Sequence, residues 1–150
     1  MSRLRIHTVE AAAFAFAIFE DAETAVGLED TTFRFAQSHG SITWSVEWAA
    51  DATIERWTAA VQARPHTLAT FLGRERAHLG DREGWKVAFD IVEEGVEVHG
   101  SFAHAQENGP ARLTAWGVPH RGQFVLAVVR RPVDFGTEDE TALTKSFKWG

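Results

Sequence analysis

The chain has 150 residues, enough for one domain, with 45% hydrophobic and 24% charged residues, a balance that excludes disorder and fibrous structure. Fifteen Lys and Arg against 21 Asp and Glu leave a net charge of −6, and no concentrated positive field for nucleic acid or anionic lipid. The absence of Cys and Tyr removes thiol nucleophiles, thiolate metal sites and phenol chemistry, and the cysteine-free composition fits a cytoplasmic protein.

Leu4 and Ile6 alternate with Arg3, Arg5 and His7, the pattern of a half-buried strand. Ala11 to Phe19 is apolar throughout, but Glu10 before it and Glu20, Asp21 and Glu23 after it are wrong for a signal peptide. Nine residues are also too few to cross a bilayer as a helix, so no membrane segment is expected. Within that run Phe14, Phe16 and Ile18 share one parity, which favours a strand, whereas the interleaved alanines favour a helix. Strand is the reading adopted, followed by a connection over Gly27 to Asp30.

Thr31 to Ala49 reads as a hairpin. Phe33 and Phe35 alternate with polar residues, as do Ile42, Trp44, Val46 and Trp48, and Gly40 suits a turn that needs positive φ. With His39 and Gly40 in the loop, Phe35 faces Trp44 and Phe33 faces Val46, while Arg34 and Glu47 sit diagonally on the solvated face. The period then changes. Asp51 can cap a helix carrying Ile54, Trp57 and Val61 on one stripe, ended by Pro65. Thr67 can cap a second helix with Leu68, Phe71, Leu72 and Leu79 inward and Arg74, Glu75 and Arg76 outward, stopped at Gly80. The expectation is a helical pair over 51–79.

Period two returns at Trp85, Val87, Phe89 and Ile91, and a turn at Glu94-Gly95 predicts a hairpin over 85–104. Leu113 to Val118 and Phe124 to Val129 form another around residues 119–122. Residues 132–142 are polar and acidic, and Leu143, Phe147 and Trp149 alternate weakly, as an edge strand would. The expected fold is a single α+β domain over 1–150. Its strongly curved or barrel-like antiparallel sheet has eight to nine strands, with a two-helix insertion in the middle.

Chemistry is sparse. The 85–104 hairpin places Asp90 opposite His99, a couple able to orient a general base, and puts His104 on the apolar face of Trp85 and Phe102. No HExxH, GxSxG, GxGxxG or P-loop pattern occurs, so no metal and no cofactor is expected. Two functions from different classes follow. The first is a non-catalytic binding domain, of inhibitor, immunity or regulatory type, that meets a protein partner, a basic one by charge. It would do so through an acidic surface of Glu47, Glu97, Glu138, Asp139 and Glu140, and a homodimer is compatible with it. The second is a cofactor-free enzyme of cyclase or isomerase type, or a carrier. It would hold an apolar small molecule among Trp44, Trp85, Phe102 and Trp116, with His104, His99 and Asp90 handling protons. Trp116 falls off the apolar parity of its hairpin, so it lies on a second buried face or anchors a partner.

Overall fold

The computed structural model describes residues 2–93, 97–98, 101–102 and 110–150. In chain order the elements are β1 (Leu4–Val9), a 3-10 turn (Glu10–Ala12), β2 (Phe14–Phe19), β3 (Thr24–Glu29), β4 (Thr32–His39), β5 (Ile42–Ala49) and α1 (Ile54–Gln62). They continue with β6 (Thr67–Leu79), β7 (Arg82–Glu93), β8 (Glu97–Val98), β9 (Ser101–Phe102), β10 (Ala111–His120), β11 (Gln123–Pro132), α2 (Glu138–Lys145) and β12 (Lys148–Trp149). Seven strands form one antiparallel sheet in the order β3-β4-β5-β11-β10-β7-β6, and a second sheet has the order β1-β2-β12. The large sheet is open, because β3 and β6 are edges that pair with one neighbour each in the described structure. This corrects the barrel-like expectation, while the antiparallel α+β class stands.

Two further expectations change. Residues 67–79 form β6 instead of a second helix, so α1 alone lies between sheet segments and α2 follows the last long strand. Residues 85–104 are not one hairpin: β7 pairs with β6 on one side and β10 on the other, so both its edges are already filled. Residues 27–29, read as a connection, belong to β3. The 11–19 segment is a strand from Phe14 onward. The β4–β5 loop falls at Gly40 and Ser41, so Phe33 meets Trp48, Phe35 meets Val46 and Gln37 meets Trp44. A shift of two leaves every side chain on its expected face, because the side-chain period of a strand is two. Gly40, at φ +60, supplies the left-handed turn residue.

The large sheet buries both faces. Between it and the small sheet lie Phe16, Phe35, Trp44, Trp116, Val125 and Phe147. On the opposite face Ile54 and Val61 of α1 pack in one cluster with Val87, Phe89, Leu113 and Ala115 of the sheet. Helix α1 starts at Thr53, whose Oγ1 accepts from the Arg56 N–H at 3.2 Å, while Asp51 pairs with the Arg56 guanidinium instead of capping. The small sheet is sewn down where β12 runs out. The Ala17 N–H donates to Ser146 Oγ at 2.7 Å, and Trp44 Nε1 donates to the Ala17 carbonyl at 3.1 Å. Among the described residues no helix is long and apolar enough to cross a membrane.

Candidate functional site

The first turn of α2 concentrates Glu138, Asp139 and Glu140 where unpaired helix N–H groups favour negative charge. The fold brings this turn to the end of the sheet that also holds the β2–β3 connection, with Glu20, Asp21 and Glu23 all exposed. Ser2, Arg3, Asp21, His39, Glu138 and Asp139 line a concavity of ≈ 770 Å³ there. Ser2 Oγ donates to Asp139 Oδ2 at 3.0 Å, and the His39 ring stacks on Phe19 at 4.5 Å with an interplanar angle of 7°. Among the described residues, Glu20, Asp21, Glu23, Glu138 and Asp139 make no ion pair, and Arg3 is the one guanidinium lining the concavity.

The remaining acids of the expected surface lie elsewhere. Glu47 pairs with Arg34 at 3.5 Å on the α1 side of the sheet, as its direct cross-strand neighbour. Glu140 turns inward and lies 3.6 Å from Arg131 Nε, with the two side chains only 15% and 6% exposed. Glu97 falls in β8, and its side chain lies outside the described residues. The sequence reading missed Glu20, Asp21 and Glu23 as site residues, though it noted them as the wrong flank for a cleavage site.

Asp90 faces Arg112 of β10 and Thr70 of β6. Arg112 Nε donates to Asp90 Oδ1 at 2.7 Å and Nη2 to Oδ2 at 3.1 Å, a two-pronged pair that raises the Arg112 pKa above its ordinary value. Next along the row Arg112 stands directly opposite Arg131, a like-charge contact offset by Asp90 on one side and Glu140 on the other. Asp90 is thus engaged by Arg112, while its expected partner His99, and His104, lie outside the described residues.

The aromatic candidates divide. Trp44 and Trp116 are buried in the cluster between the sheets, which settles Trp116 on a second buried face. Trp85 packs at the margin of the α1 cluster on the other side, beneath the Arg74 and Arg76 guanidinium groups at 4.5 and 4.6 Å. The large sheet therefore separates Trp44 from Trp85, and the Phe102 side chain lies outside the described residues.

One buried polar residue was not anticipated. His120 Nε2 lies 2.5 Å from the Ala12 carbonyl and Nδ1 lies 2.6 Å from Arg82 Nη1, so the neutral ring donates from Nε2 and accepts at Nδ1. Burial lowers its pKa below the ordinary value, opposed by the Ala12 hydrogen bond and assisted by Arg82 and Arg121. Arg82 also covers Trp149 at 4.4 Å, so the cluster ties the 3-10 turn to the chain's last strand. Among the described residues, no three His, Asp or Glu side chains are grouped so as to hold a metal ion.

No protein-family model matches the chain, and no curated protein matches it in sequence. Solved structures do resemble it. The solution structure of cyanobacterial PsbP from Synechocystis sp. PCC 6803 aligns with a TM-score of 0.63 at 12% identity, over 100% of this chain and 94% of that one. A crystal structure from Bacteroides thetaiotaomicron VPI-5482 gives 0.50 at 8% identity, over 97% of this chain and 48% of that one. The Ran-binding protein Mog1p of Saccharomyces cerevisiae gives 0.49 at 8% identity, over 99% and 96%. At such identities the likeness is one of fold, and the chain is similar to cyanobacterial PsbP in its antiparallel α+β architecture.

Proposed function

We propose that the chain is a non-catalytic binding domain, of inhibitor, immunity or regulatory type, that meets a basic protein partner through its acidic end. One observation carries this reading. Among the described residues, Glu47, Glu75, Glu83, Asp90, Glu93 and Glu140 are held in ion pairs, whereas Asp21, Glu138 and Asp139 line one concavity and make none, with Glu20 and Glu23 exposed beside Asp21 in the chain. Like charges gathered at one end repel, and an arrangement of that kind is relieved by a cationic partner. Such a field acts mainly on encounter, raising the association rate in a salt-dependent way.

The test reverses Asp21, Glu138 and Asp139 to Lys together. A partner is first captured on the wild-type chain from its own cell extract and purified, and association is then followed by stopped flow. The variant should associate at least about tenfold more slowly at low salt, the difference shrinking at high salt, while remaining folded with a modestly lowered thermal midpoint. Equal rates at low salt would overturn the proposal.

A further inference from the structure

We infer that β3 is a self-pairing edge through which two copies of this chain join their large sheets into one. The two edges of the large sheet are built differently. Strand β6 carries a bulge between Phe71 and Gly73 and a charged run, Arg74-Glu75-Arg76, devices that keep an edge from pairing. Strand β3 has no bulge in its pairing with β4, no Pro and no Lys, and its first five residues, Thr24 to Leu28, are uncharged. All six of its residues are exposed, with Val26 at 50% and Leu28 at 59%. Among the described residues nothing pairs with its backbone groups on the side away from β4, which leaves them a template.

The occupant follows from the pattern of charge and apolar side chains. Two antiparallel copies of one strand, continuing a sheet about a two-fold axis, keep each residue on its own face, so only alternate registers are open. With the axis at Gly27, Val26 lies opposite Leu28 of the second copy, Ala25 opposite Glu29 and Thr24 opposite Asp30. Moving the axis to Val26 sets Glu23 against Glu29, and moving it to Leu28 sets Val26 against Asp30. The Gly27 register pairs Val26 with Leu28 at both symmetry-related positions and opposes no like charges, whereas the Val26 register opposes two acids and the Leu28 register sets Val26 against an acid. It also meets at a residue without a side chain, where a second backbone approaches closely; a Cβ built on Gly27 finds no atom within 4 Å.

The proposal is independent of the acidic-end reading, and its test does not need that partner. Sedimentation equilibrium of the full chain from about 5 to 500 μM should show 16.6 kDa monomers passing to dimers. The Val26→Lys/Leu28→Lys variant should remain monomeric over that range with an unchanged far-UV spectrum and thermal midpoint, since both side chains are exposed. The chain has no cysteine, so a Val26→Cys/Leu28→Cys variant under mild oxidation should form a covalent dimer, and either single variant several-fold less. A wild-type chain that stays monomeric throughout overturns the proposal. So does a dimer that survives the lysine variant, or one dissociated instead by Leu68→Lys on β6; single cysteine variants that cross-link as well as the double variant overturn the register.

Discussion

Gln37 holds both backbone groups of Phe19: the Phe19 N–H donates to Gln37 Oε1 at 2.8 Å, and Gln37 Nε2 donates to the Phe19 carbonyl at 2.8 Å. The second Nε2 hydrogen reaches Thr24 Oγ1 at 2.9 Å. One side-chain amide thereby stands in for the strand residue that would pair with β2 at this point.

Gln37→Leu keeps the volume but leaves the Phe19 N–H and carbonyl buried without partners. Each such group costs about 1–3 kcal/mol, so the variant should lose about 2–6 kcal/mol in denaturant unfolding. A loss below about 1 kcal/mol would mean that water or backbone takes over the two bonds.

The tryptophans should separate in cost. Trp44 is fully buried and donates to Ala17, so Trp44→Ala should cost about 3–5 kcal/mol. Trp85 is half-buried beneath two arginines, and Trp85→Ala should cost about 1–3 kcal/mol. Paired denaturant midpoints give the order, and equal costs would contradict it.

Charge reversals on α2 should diverge at neighbouring positions. Glu138→Lys is exposed and should change stability by less than about 0.5 kcal/mol. Glu140→Lys leaves the buried Arg131 guanidinium facing a second cation and should cost about 3–5 kcal/mol. Thermal midpoints of the two variants measure the contrast.

Acid should weaken the fold through two histidines. Burial lowers the pKa of His7, with Arg5 adding to it, and burial likewise lowers that of His120. Unfolded, both rings titrate near 6.5 and bind protons that the folded chain refuses. Their contribution is therefore complete above that pH and is lost as pH falls through the lower folded-state values. Unfolding free energy should decline from about pH 7 towards pH 5.5, less steeply in His7→Gln, and a flat profile would contradict this.

Period-two patterning placed Phe33, Phe35, Trp44, Val46, Val87 and Phe89 in cores correctly, because parity survives an error in register. It failed at 67–79 for a definite reason. The bulge at Leu72 inserts one residue, so apolar side chains at 68, 71 and 72 fall at helical spacing although the backbone is extended. Asp90 was assigned to a neighbour in sequence, whereas its partner Arg112 arrives from a strand that no local turn signal specifies. The acidic end was half legible, since Glu138 and Asp139 were visible as a cluster but their approach to Asp21 is purely tertiary.

The way β2 is completed sets an order of events during synthesis. Its far edge is closed by Lys148 and Trp149, by Ser146, and by Gly150, whose N–H donates to the Ala13 carbonyl at 2.9 Å. A ribosome makes β2 well before these partners, which follow only after every strand of the large sheet. Until they emerge, β1 is the one strand partner of the Phe14-Ala15-Phe16-Ala17-Ile18-Phe19 segment among the described residues, leaving an apolar strand with one open side on the nascent chain. Strand β2 is thus made early and completed late. It is the stretch most in need of chaperone cover until residues 146–150 have emerged.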